Sequence, residues 1–211
     1  MTLHRLLTFA GLFLGAAAIG LQAGLVIPMQ MQAGDGLLRA LVFYLSYFTI
    51  LSNLGLVALY YGALIGNRAL SAPGVRAMVA AYIFVVMAVY HLILASLWSP
   101  QGWWLAADLA LHTVAPLLYL LWWITGPHPR RLRYGRVWLM LVLPLAYCGY
   151  ALIRGALSGR YPYPFLNAAE LGYPAVAANI AGLAASFALV CLAAIAISRA
   201  LHRRAPRSVL A

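Results

Sequence analysis

The sequence predicts an all-α membrane protein, a single six-helix transmembrane bundle covering residues 1–211 with both termini cytoplasmic. Three observations predict it. Hydrophobic residues make up 65% of the chain and charged residues 8%, whereas a soluble domain carries roughly a quarter charged. Six apolar stretches are long enough to cross a hydrocarbon core. The arginines fall unequally between the two sets of connecting segments.

The stretches run approximately Leu6–Pro28, Ala40–Ile65, Val75–Trp98, Trp103–Thr125, Arg136–Ile153 and Gly172–Ala200. The first follows Arg5 and contains Ala16-Ala17-Ala18, as a signal peptide would. Its apolar length exceeds a signal's usual core, so it reads as a retained helix. Asn67–Gly74 and Gly126–Gly135 carry the Pro and Gly of tight turns on the N-terminal side. On the other side Trp98, Trp103 and Trp104 bracket Ser99–Gly102, a short turn anchored by interfacial indoles. The longest outer segment, Arg154–Tyr173, holds two prolines that forbid a regular helix. Its four aromatics, Tyr161, Tyr163, Phe165 and Tyr173, can lie back onto the bundle.

All 14 basic residues are arginines. On the side of the N-terminus are Arg5, Arg68, Arg76, Arg130, Arg131, Arg133, Arg136, Arg199, Arg203, Arg204 and Arg207; opposite them are only Arg39, Arg154 and Arg160. That asymmetry places the termini in the cytoplasm. It also accounts for the net charge of +11 without a nucleic-acid partner. Cys148 and Cys191 fall inside spans with no metal-site spacing and read as small core residues.

Chemistry gathers at Asp108-Leu-Ala-Leu-His112-Thr-Val-Ala-Pro116. An acid and an imidazole four residues apart share one helix face. A central Asp costs roughly 2.5–3.5 kcal/mol on the insertion scale. Pro116 removes the amide that would bond the His112 carbonyl, loosening the backbone there. In the second stretch Ser46, Thr49 and Asn53 form one stripe. At 1.5 Å per residue, Thr49 and His112 each lie roughly 14 Å inside the outer boundary. A neutral imidazole can take the proton of an attacking hydroxyl, and Asp108 is placed to orient its other nitrogen. The developing oxyanion needs donors, for which Asn53 or a tyrosine of the outer segment is available. The catalytic candidates are therefore Thr49, His112 and Asp108, and the substrate-binding candidates Ser46, Asn53, His91, Tyr163 and Asn167. No metal and no cofactor is expected for this chemistry. Asn179 and Ser186 are expected to hydrogen-bond between helices, and His4, His128 and His202 to have no role in the site.

Three stretches, Tyr47–Asn53, Leu111–Pro116 and Tyr161–Asn167, resemble a widespread bacterial six-helix membrane family. That family is distantly similar to the animal androgen-induced and androgen-dependent transmembrane proteins, intramembrane threonine hydrolases of fatty acid esters of hydroxy fatty acids. The resemblance implies that Thr49 is the nucleophile, His112 its base and a fatty-acyl ester the substrate. The animal motif has Asn where Asp108 stands, and its proline falls one residue later relative to the histidine. Two other readings use the same polar residues: a haem-binding electron carrier ligated by His91 and His112, and a lipid-binding or transport protein without chemistry. Neither inverted repeats nor paired broken helices are legible in favour of transport.

Overall fold

The computed structural model describes residues 2–204, and among these every regular element is helical. In chain order they are α1 Leu3–Gln32, α2 Leu37–Leu45, α3 Phe48–Leu64, α4 Pro73–Val89, α5 Trp103–Leu109, α6 Ala115–Thr125, α7 Val137–Ser158, the single turn α8 Ala168–Leu171, and α9 Tyr173–Arg204. Five helical runs are long and apolar enough to cross a membrane. The α2–α3 pair makes a sixth if the two are counted as one span. The run from α4 continues through a π-helical turn at Tyr90–Leu94, and the run from α5 to α6 passes through another at Ala110–Val114.

The bundle is assembled around α4, which packs against α3, α6 and α9. α1 lies against α3 and α6, and α7 joins through α9. Close approach needs small residues at the crossings. A Cβ on Gly11 would fall 2.1 Å from the Tyr60 ring, and one on Gly155 would fall 2.1 Å from Tyr161.

In a lipid environment every backbone polar group must find a partner inside the protein, and here phenols supply several. Pro144 within α7 has no amide for the Met140 carbonyl, and the Tyr82 hydroxyl donates to that oxygen at 2.6 Å. Tyr44 donates to Ile19 O at 2.7 Å and Tyr119 to Arg76 O at 3.1 Å, each crossing between helices.

One expectation fails in the second stretch. Ala40–Ile65 is not a continuous helix: it breaks at Ser46–Tyr47, and α2 and α3 diverge by 78°. No proline or glycine stands at the break; tertiary partners hold it instead. Tyr147 donates to the Ser46 carbonyl at 2.8 Å, and Tyr163 accepts the Thr49 amide at 3.2 Å. Ser46 therefore ends one helix while Thr49 opens the next, so the predicted stripe is interrupted. The depth reckoned along one straight axis does not apply to Thr49.

The predicted core roles of the cysteines agree with the fold, both being buried and free. Asn179 donates to Phe165 O at 2.9 Å, tying α9 to the outer loop, whereas Ser186 bonds back to Gly182 within its own helix. His128 and His202 do have a structural role. His128 lies between Trp123 O and Ser198 Oγ, and its own carbonyl accepts from the His202 ring at 2.8 Å.

Candidate active site

Thr49 is the second residue of α3, in the turn whose amides have no partner within the helix. Its side chain is buried, and its hydroxyl lies 3.3 Å from Tyr163 Oη. The same phenol oxygen accepts the Thr49 amide proton at 3.2 Å. Tyr163 reaches this point because Pro162 and Pro164 flank it in the outer loop and Tyr161 beside them fills the hollow left by Gly155. Burial raises the Tyr163 phenol above its ordinary pKa, while the hydrogen bonds from Thr49 pull it back. It remains a protonated donor at neutral pH.

His112 lies in the π-helical turn between α5 and α6. Its Nδ1 is 3.0 Å from Asp108 Oδ1 and 3.1 Å from the Asp108 carbonyl. The contact predicted from the four-residue spacing is present. With Nδ1–H given to the carboxylate, Nε2 is the lone-pair nitrogen. Asp108 is buried and its second oxygen accepts a short hydrogen bond from Tyr90. The Tyr90 ring also stacks on the imidazole, with centroids 3.8 Å apart and planes 8° from parallel. Trp98 Nε1 in turn donates to Tyr90 Oη at 3.3 Å. Asp108 and Tyr90, both buried, and the exposed Trp98 thus form a chain that fixes the imidazole from one side.

Thr49, Tyr163, Tyr90 and His112 line one partly open cavity of about 350 Å³, walled elsewhere by apolar residues such as Val26, Ile50 and Leu111. Among the described residues no hydrogen bond joins Thr49 Oγ1 to the His112 ring; each is held by the partners named above. Direct proton transfer between them is not available in this arrangement and would need a bridging group. Thr49 and Tyr163 also border a second, smaller pocket of about 50 Å³, walled by Val86, Tyr147, Leu183 and Phe187. The hydroxyl therefore sits at the partition between a larger cavity with polar groups at one end and an apolar slot.

No family model, curated protein or solved structure matches the chain. The site is accordingly read from its own geometry.

The remaining candidates divide. Asn53 is fully buried, and its amide donates to Thr49 O at 2.8 Å and Leu111 O at 3.3 Å. Both its protons are used, leaving an unpaired acceptor, so it cannot donate to an oxyanion. Its position has a different explanation. In the π turn the Ala115 amide bonds Ala110 O, and Pro116 has no amide, so the Leu111 carbonyl lacks a helical partner. Asn53 supplies one. The Leu111 carbonyl is thus an orphan beside Pro116, and Asn53 clamps the segment bearing Thr49 to the segment bearing His112.

Ser46 faces away from the cavity and donates to Phe43 O at 2.6 Å. Asn167 caps α8, its side chain accepting the Ala169 amide at 3.2 Å. His91, exposed in the π turn after α4, pairs with Thr113 Oγ1 at 3.0 Å. These three stand outside the cavity lining. Sequence reading missed Tyr90, Trp98 and Tyr147. The available signal was that a phenol inside an apolar stretch needs a hydrogen-bond partner, and Tyr90 lies eight residues before Trp98.

Proposed function

We propose that the protein is a hydrolase of lipid esters embedded in the bacterial inner membrane, with six spans and both termini cytoplasmic. The single observation that carries the reading is the shared cavity. It brings a buried threonine and a carboxylate-oriented imidazole, from separate helices, to the lining of one partly open cavity. The proposed membrane topology draws on the long apolar runs and the arginine asymmetry. The assignment of Thr49 as nucleophile and His112 as base accords with the resemblance to the animal threonine hydrolases.

In the proposed reaction the Thr49 hydroxyl attacks the ester carbonyl and its proton passes through a bridging water to His112 Nε2. Asp108 holds the tautomer and stabilises the imidazolium. Tyr163 is the donor to the oxyanion. It accepts the Thr49 amide at the positive end of α3, which polarises its own O–H toward an incoming oxygen. Collapse releases the alcohol, protonated by the imidazolium, and leaves an acyl-Thr49 ester. Water, activated by the same imidazole, then hydrolyses that ester. The acyl chain extends along the apolar walls and enters laterally between helices.

The test uses the full-length protein in detergent with a long-chain fluorophosphonate and a fatty-acyl 4-nitrophenyl ester. Wild type should label covalently and hydrolyse the ester, and Thr49→Ala should do neither. Labelling that persists undiminished in Thr49→Ala rules out the nucleophile. A second reading, lipid binding or transport without chemistry, is favoured by one observation: the broken α2–α3 pair presents a helix N-terminus to the cavity, as transporter half-helices do. Stoichiometric bound lipid with no turnover would select it.

A further inference from the structure

A second polar feature lies at the other end of the Trp103–Thr125 run. The loop between α6 and α7 reads Arg130-Arg131-Leu132-Arg133-Tyr134-Gly135-Arg136. Leu132 is buried, and its carbonyl is held by Arg199 at 2.8 Å, so the loop is pinned down by its one aliphatic residue. The four arginines around it are exposed, and all four border a cavity of about 320 Å³. The floor of that cavity is apolar: Met78 of α4, Leu139 and Met140 of α7, and Ile195 of α9. The N-terminus of α4, from Pro73, forms one wall, and its N-cap, Ala72, offers no side-chain acceptor.

No acidic side chain of the chain serves these arginines. There are three in all. Asp35 pairs with Arg160, Asp108 is held by His112 and Tyr90, and Glu170 sits in the first turn of α8 in the outer loop. Four exposed arginines bordering one hollow make it favourable to an anion, and no acidic side chain of the chain supplies one. Guanidinium forks match phosphate oxygens. A small hydrated anion gains nothing from an apolar floor, but an amphiphile with a phosphate head gains from both parts. Basic hollows between membrane helices with this make-up suit phospholipid headgroups.

We infer that this cavity binds the phosphate of an anionic phospholipid, its head on Arg130, Arg131, Arg133 and Arg136 and the upper part of its acyl chains on the floor between α4, α7 and α9. The site shares no residue with the cavity of Thr49 and His112 and does not depend on their chemistry. A bound lipid there would staple the α6–α7 loop to α4 and α9.

The experiment is a titration of the full-length protein in neutral detergent, followed by native mass spectrometry and thermal unfolding. The probes are dioleoyl phosphatidylglycerol, dioleoyl phosphatidylcholine and inorganic phosphate. Phosphatidylglycerol should bind at least about tenfold more tightly than phosphatidylcholine and should raise the unfolding temperature. The preference should shrink several-fold in Arg133→Gln and in Arg136→Gln and vanish in the quadruple Arg→Gln variant; Arg39→Gln, a control elsewhere on the chain, should retain it. Leu139→Trp keeps every charge but fills the floor, and it should weaken the lipid without creating a response to phosphate. Equal binding of the two lipids, or an undiminished preference in the arginine variants, overturns the inference. So does stabilisation by inorganic phosphate that matches the lipid, which would make this a free-anion site.

Discussion

The sharpest test of the site is Asp108→Asn, because the change is nearly isosteric and its consequence follows from two hydrogen bonds. Asp108 accepts from both sides, from His112 Nδ1–H on Oδ1 and from Tyr90 on Oδ2. An asparagine has one oxygen to offer and must turn its NH₂ toward the other partner. Tyr90 already accepts the Trp98 indole proton at 3.3 Å, so its hydroxyl hydrogen is committed toward residue 108. The amide oxygen therefore goes to Tyr90 and the NH₂ faces Nδ1. The imidazole can accept that proton only as the Nε2–H tautomer, which removes the base from the cavity. The ring itself stays in place, stacked on Tyr90. A tautomer error of this kind costs on the order of 10⁴ in rate in a hydroxyl–imidazole–carboxylate triad. Both hydrogen bonds are re-made without the ionised acceptor, which costs about 1 kcal/mol of stability for each. The assay is the second-order rate of fluorophosphonate labelling, read beside the unfolding temperature. Labelling of Asp108→Asn within about threefold of wild type, for a variant shown to be folded, would refute the claim that Asp108 sets the tautomer.

Other perturbations follow from the same geometry. Tyr163→Phe removes the oxyanion donor and orphans the Thr49 amide, so labelling should slow by roughly 10²–10³-fold and stability should fall by about 1–3 kcal/mol; His112 contacts should be unchanged by spectroscopy. Asn53→Leu leaves the Leu111 carbonyl unpaired in the core, and should lower the unfolding temperature by an amount equivalent to about 1–3 kcal/mol while Asn53→Ser recovers part of it. Gly155→Ala places a Cβ 2.1 Å from the Tyr161 ring; the loop carrying Tyr163 must move, and activity should fall together with the unfolding temperature. Burial, aided by the nearby Arg76 charge, holds the pKa of His128 below the ordinary 6.5. The unfolded chain then takes up that proton first, so stability should decline as pH falls below about 6.5 toward the lower folded-state value. Thermal unfolding between pH 5 and 8 should show this slope in wild type and a flatter one in His128→Asn.

The sequence by itself determined what is local. Apolar length and composition marked the helical runs, and the run Trp103–Thr125 has the boundaries read from sequence. The contact of Asp108 with His112 was legible because four residues on a helix are neighbours whatever surrounds them. Thr49 and His112 stood out as polar groups in apolar stretches, and the cavity they share joins them from separate helices. What only the tertiary structure decided involves partners far apart in the chain. The break at Ser46–Tyr47 has no local breaker and is held by Tyr147 and Tyr163, which lie about a hundred residues downstream. Separation in the chain also hid the true employment of Asn53, which answers an orphan carbonyl beside Pro116, 58 residues away on another helix. Tyr90 was hidden for the same reason, since its phenol completes a chain to Asp108 on another helix that no spacing within its own run reveals. Helix formation is governed by each residue's own neighbours, whereas in an apolar medium the pairing of every leftover polar group is settled only when the helices meet.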